Sequence, residues 1–116
     1  MPINWPVAYK IVNLEEGEYR SLTLSSSTFS CIIYSTQQWS VRPNGCGPSA
    51  VFETLAAVRM FQRKNGWPEY PVFRVLYKPS QDKHLWADGG GYMNSLYTLP
   101  PGTLLADSVL LLHRVQ

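Results

Sequence analysis

The sequence predicts an α+β fold: a mainly antiparallel or mixed sheet of four to five strands, with one main helix packed on one face, all within a single domain spanning 1–116. Three observations carry this reading. Only one stretch, 43–66, repeats apolar residues at helical spacing, with Val51, Leu55, Val58 and Phe61 in line and Phe52 and Ala56 widening the stripe. Several other runs alternate or are rich in β-branched and aromatic residues, which suits strands. The first of these runs are separated by turns too short for a parallel crossover, so their neighbours pair antiparallel, whereas a doubly wound parallel sheet would need more helices.

In order, Val7 to Asn13 reads as a strand, and the following turn has Gly17 at its bend. Tyr19 to Leu24 is the return strand of a hairpin. After the polar break Ser25-Ser26-Ser27, the run Thr28 to Ser35 is the most β-prone of the chain. Alternation there puts Phe29, Cys31 and Ile33 on one side and Ile32 and Tyr34 on the other, with Cys31 as a small core residue. Gln37 to Gly45 reads as irregular chain entering a helix from Pro48 to Lys64. Pro48 suits the first helical position, and Asn65-Gly66 supplies a left-handed exit. Val72 to Lys78 is a strand with Phe73, Val75 and Tyr77 facing away from Arg74. Residues 79–102 have no sustained period and read as a long functional loop. Asp107 to Val115 closes the chain as a strand, with Val109, Leu111, His113 and Val115 on one face.

Composition narrows the function classes. With 116 residues, 13% aromatic and 16% charged, the chain has ample packing material and little solvating charge, which argues against disorder. Ten Lys and Arg against 8 Asp and Glu give a net charge of +2, and the one basic cluster, Arg59, Arg63 and Lys64, fits the solvated back of the helix. Nucleic-acid binding is disfavoured accordingly; Tyr9-Lys10, Tyr19-Arg20 and Tyr77-Lys78 interleave rings with charge without forming a stripe. No signal peptide or membrane-length apolar run opens the chain, so a cytoplasmic location with free thiols at Cys31 and Cys46 is expected. Cys31, Cys46, His84 and His113 lack the close pairing of zinc ligands, and Gly89-Gly90-Gly91 lacks the residues of a phosphate loop. Neither a metal nor a cofactor is implied.

Two groups of residues could carry function. Trp39, Trp86, Tyr92 and Tyr97 lie in the helix-entry loop and the 79–102 loop, and together would line a cleft for a small molecule or a partner's side chains. This binding role is the leading expectation. The second group centres on Cys46, set at the expected mouth of the helix, where the dipole and free N–H groups favour a thiolate. Asn44-Gly45-Cys46-Gly47-Pro48-Ser49-Ala50 resembles the nucleophile segment of papain-like cysteine peptidases, especially the bacteriocin-processing type. That resemblance implies Cys46 as nucleophile, His113 or His84 as base, Asp88, Asn94 or Asp107 as orienter, and an upstream Gln at Gln38 or Gln37.

A broader likeness runs through Ala8 to Val12, Trp39 with Pro43, Val51 to Phe61, Val72 to Tyr77 and Leu99 to Val109. In these segments the chain resembles small uncharacterised phage and bacterial proteins, which implies a compact α+β unit without an assigned activity. Tyr19-Arg20 and Tyr34-Ser35-Thr36 are also distantly similar to ADP-ribosyltransferases. Such enzymes require a positioned Glu, and the acidic residues after the helix, Glu69, Asp82, Asp88 and Asp107, lie in no recognisable motif.

Overall fold

A computed structural model describes residues 4–15, 17–21, 33–41, 48–65, 70–82, 84–86, 93–95 and 101–116, with the backbone alone at 15, 21, 65, 84–86 and 93–95. The longest strands build the centre. Strand β1 (Val7–Glu15) turns at Gly17, whose φ of +80° is open to glycine at no steric cost, into β2 (Glu18–Ser21), with Asn13 opposite Arg20. Strand β3 (Ile33–Tyr34) lies against β2, and β4 (Trp39–Val41) against the last strand. Strand β5 (Ser49–Phe52) precedes the single helix among the described residues, α1 (Leu55–Asn65). Strands β6 (Val72–Pro79) and β9 (Thr103–Arg114) follow, separated in sequence by the small hairpin of β7 (His84–Trp86) and β8 (Met93–Ser95).

The pairing closes on itself. β1 pairs with β6, β6 with β9, β9 with β5, and β5 back to β1, all antiparallel. The domain is therefore a small four-stranded barrel with β2, β3 and β4 added at its margins; the expected mainly antiparallel strands and main helix are present, and the expected sheet of four to five strands is corrected to a closed ring with added strands. Closure gives a strand two buried sides, one toward the lumen and one wherever something covers the barrel. The lumen is filled by Ala8, Val12, Val51, Val75, Val109 and Leu111, with Phe73, Tyr34 and Tyr77 among them. On the outside, α1 presses Val58 and Phe61 onto Ile11, Phe52 and Val72. Each such apolar side chain contributes roughly 1.5–3 kcal/mol when fully buried.

The helix starts later than its sequence pattern suggests. Ser49 to Phe52 is buried at every position because Val51 faces the lumen and Phe52 faces the helix. A strand buried on both faces reads as a continuous apolar run, and periodicity alone cannot separate it from a helical turn. Thr54 makes the break: its Oγ1 accepts from Ala57 N–H at 3.1 Å, capping the first turn, and its carbonyl accepts from Val58 N–H at 3.2 Å. From Leu55 onward the expected stripe holds at Val58 and Phe61, while Ala56 is exposed. Pro48 is a buried residue leading into a strand rather than the first residue of a helix.

Two bulges set the faces of β9. Opposite Lys78 and Pro79 the register jumps from Ser108 to Ala106, and opposite Val75 and Arg74 from Leu111 to His113. The first jump, at Asp107, moves the lumen-facing positions from Leu104 and Ala106 to Val109 and Leu111. The second, at Leu112, turns His113 to the outer face beside Arg74, where both are exposed. The expected single face of Val109, Leu111, His113 and Val115 is thus broken after Leu111. The β6 expectation holds: Phe73, Val75 and Tyr77 point inward and Arg74 outward.

Candidate functional site

Of the four rings expected to line a cleft, Trp39 is the one whose side chain is described; those of Trp86, Tyr92 and Tyr97 lie outside the described residues. Trp39 does not stand in irregular chain. It opens β4 opposite Leu110, just after Gln37, whose φ of 64° lies in the left-handed region and costs of order 1 kcal/mol for a residue with a side chain. Gln37 is held there by two bonds to β9: its N–H donates to the Leu111 carbonyl at 3.1 Å, and its Nε2 to the Leu112 carbonyl at 2.7 Å. This turn aims Trp39 at the outer face of the barrel.

Across that face, Lys78 on β6 shares its row with Ser108 and Val41, two rows along, and so on the same face, from the row of Leu76, Leu110 and Trp39. Trp5, next to Pro6 whose carbonyl accepts from Tyr77 N–H at 3.1 Å, completes the group. The two indoles meet edge to face, with centroids 6.1 Å apart and planes at 74°. Lys78 Nζ lies 4.6 Å from the centroid of Trp39 and 5.3 Å from that of Trp5, within reach of both ring quadrupoles. All three side chains are partly exposed. The ion pair among the described residues is Arg20 with Glu18, and among those residues the Lys78 charge meets the two rings and no carboxylate. Sequence reasoning missed Trp5 and Lys78. The available signal was strand parity, which sets Lys78 outward once Tyr77 is placed inside.

A second polar group lies inside the barrel. Lys10 is 3% exposed, pointing into the lumen between Ala8 and Val12, and its Nζ donates to the Ala50 carbonyl at 2.5 Å. The ammonium end sits 5.6 Å from the centroid of the Tyr34 ring, and the Tyr34 hydroxyl shares a 2.6 Å hydrogen bond with Ser49 Oγ. Burial pulls the Lys10 amine down from 10.5 to about 7. Alternation predicts no such residue, because Tyr9 and Ile11 on the other side of β1 face the packed helix, leaving no wet side by which to judge Lys10.

Comparison with protein-family models, curated proteins and solved structures returns no match to this chain.

The expected thiolate at Cys46 rests on a helix beginning at Pro48; α1 begins at Leu55, nine positions after Cys46 in sequence, and Cys46 itself lies outside the described residues. His113 is exposed on the outer face, Gln38 is exposed beside the Gln37 turn, and His84 lies on β7 with its side chain undescribed. Cys31 also falls outside the described residues. Its neighbour in parity, Ile33, is 46% exposed, whereas Tyr34 takes the inward position. No group of His, Cys, Asp and Glu able to hold a metal occurs among the described residues, and no helix there is long and apolar enough to cross a membrane.

Proposed function

We propose that this protein is a binding domain that holds a small planar ligand carrying an anionic group against Trp39, with Trp5 as the second wall and Lys78 as the counter-charge. The observation that carries this reading is the Lys78 ammonium lying over two partly exposed indoles with no carboxylate partner among the described residues. Ring faces set at a right angle form a corner in which a planar group stacks on one indole and meets the edge of the other. An anionic substituent then reaches the ammonium without displacing a carboxylate of the described residues. The site has a rigid base, since Lys78 and Trp39 stand on strands hydrogen-bonded to β9 and the Gln37 turn fixes the approach to Trp39.

Phenyl phosphate is a suitable probe, with phenol and inorganic phosphate as its halves, and the readout is the indole N–H resonances of Trp5 and Trp39. Phenyl phosphate is expected to shift both resonances, and each half alone to bind at least tenfold more weakly. Trp39→Ala should weaken phenyl phosphate about tenfold or more, in line with roughly 1–3 kcal/mol for stacking on an aromatic side chain. Lys78→Met should reduce it to the level of phenol. Unchanged affinity in Trp39→Ala, with amide dispersion retained, would overturn the assignment.

A further inference from the structure

We propose that Lys10 is a proton-gated clasp on the seam between β1 and β5, the weakest join of the barrel. The other three seams run over long ladders: β1 with β6 from Val7 to Ile11, β5 with β9 from Ser49 to Phe52, and β6 with β9 from Phe73 to Pro79. The β1–β5 seam has one aligned pair, Tyr9 opposite Phe52. Two residues before Phe52, the Ala50 carbonyl takes its hydrogen bond from the Lys10 side chain. The amine thus stands in for a backbone rung where the two strands part, and the neighbouring Tyr34–Ser49 bond ties β3 to the same place.

A clasp of this chemistry responds to protons. The closed seam buries the amine between the Ala50 carbonyl and the Tyr34 ring, so closure favours the uncharged form, while an opened seam hands the amine to water, where it takes up a proton. The exchange is closed seam plus one proton against open, protonated seam. Opening binds the proton, so falling pH favours opening between the solvent value of 10.5 and the buried value of about 7, and has no further effect below that. Among the described residues, the core that takes in Lys10 is built by Phe73 and Tyr77 of β6, Tyr19 of β2, Tyr34 of β3, the Ser49 hydroxyl of β5, and the apolar Ala106, Val109 and Leu111 of β9. Asp107 lies partly buried at the β9 bulge. Burial, with help from Glu53, raises the Tyr77 phenol above 10. Arg59, Arg63 and Lys64 of α1 are exposed on the far side of the wall.

The test is native-state amide exchange at pH 7, 8 and 9, corrected for intrinsic rates. Protection of the Ala50, Val51 and Tyr9 amides is expected to rise toward tenfold per pH unit in the natural protein, and to be flat in Lys10→Met. Amides of α1, such as Phe61, open only with the whole fold and should be more strongly protected than the seam at each pH. Equal protection at α1 and at the seam would mean global opening and would overturn the clasp, as would a seam slope that survives in Lys10→Met. Should that variant fail to fold, the Lys10 side-chain carbon resonances of the natural protein decide: a titration midpoint near 7 supports the clasp, and one near 10.5 ends it.

Discussion

Lys10 is the residue at which stability and arrangement pull apart. Moving its amine from 10.5 to about 7 corresponds to roughly 5 kcal/mol of unfavourable burial at neutral pH or below, a large share of the 5–15 kcal/mol that holds a small domain together. The sign follows from the protons: between pH 7 and 10.5 the unfolded chain carries a charge that the folded chain lacks, so stability climbs as pH rises through that window. Lys10→Met keeps the length and removes the desolvation, while leaving the Ala50 carbonyl without its donor, which costs about 1–3 kcal/mol. A net gain of about 2–4 kcal/mol is expected at pH 7, falling toward a net loss near pH 10. Urea unfolding at both pH values checks it, and an equal effect at the two would mean that the amine is not the source. Lys10 was invisible in the sequence for a definite reason. Alternation identifies an inward charge only when the opposite side is wet, and here Tyr9 and Ile11 on that side lie under a helix. Trp39 was legible as a candidate ring, yet its neighbours Trp5 and Lys78 lie more than thirty positions away in sequence and meet it only through the β4–β9–β6 pairing.

At the scale of elements, the strands β1, β2, β6 and β9 were readable because each carries an alternation or a β-branched run bounded by turn residues, and Gly17 marked its hairpin. The boundary between β5 and α1 was not. Val51 falls four positions before Leu55, so a doubly buried strand and the first turn of a helix present the same apolar spacing. The discriminating residue is Thr54, which is poor in a helix interior and favoured as a cap. Thr54→Ala is therefore expected to destabilise the domain by about 1 kcal/mol, whereas Thr54→Ser should be close to neutral. If the helix ran from Pro48 instead, Thr54 would be an interior position and alanine would stabilise it. Thermal unfolding of the two variants separates these outcomes by sign. Gly102 guards the same corner: its φ is +84°, its carbonyl accepts from Glu53 N–H at 2.8 Å, and a Cβ there would stand 2.8 Å from the Ala57 Cβ.

For the whole molecule, closure is the property that local pattern does not encode. A residue run says that a strand forms, and nothing in it says that β9 will pair with β4, β5 and β6 at once. The bulges at Asp107 and Leu112 make that possible by bending and re-phasing one long strand, so the same residues serve two sides of a ring. It follows that no partial barrel is a lesser version of the whole. Without β9, β6 loses one edge, β5 keeps the single Tyr9–Phe52 pair, and Val12, Val51 and Val75 lose the side chains opposite them. Hydrophobic burial on this scale has no local substitute, because α1 covers the outside of β1 and β5 and cannot fill the lumen. A chain ending at Gly102 is therefore expected to be unfolded, with collapsed amide dispersion, and not merely less stable. Supplying residues 103–116 as a separate peptide should restore dispersed resonances, Ala50 and Val75 included, since β9 contributes pairing along its whole length and no covalent link through Gly102 is needed for it. If the truncated chain instead retained native shifts in β1 and β6, the ring would be an accessory to an open sheet, and the clasp at the β1–β5 seam would lose its purpose.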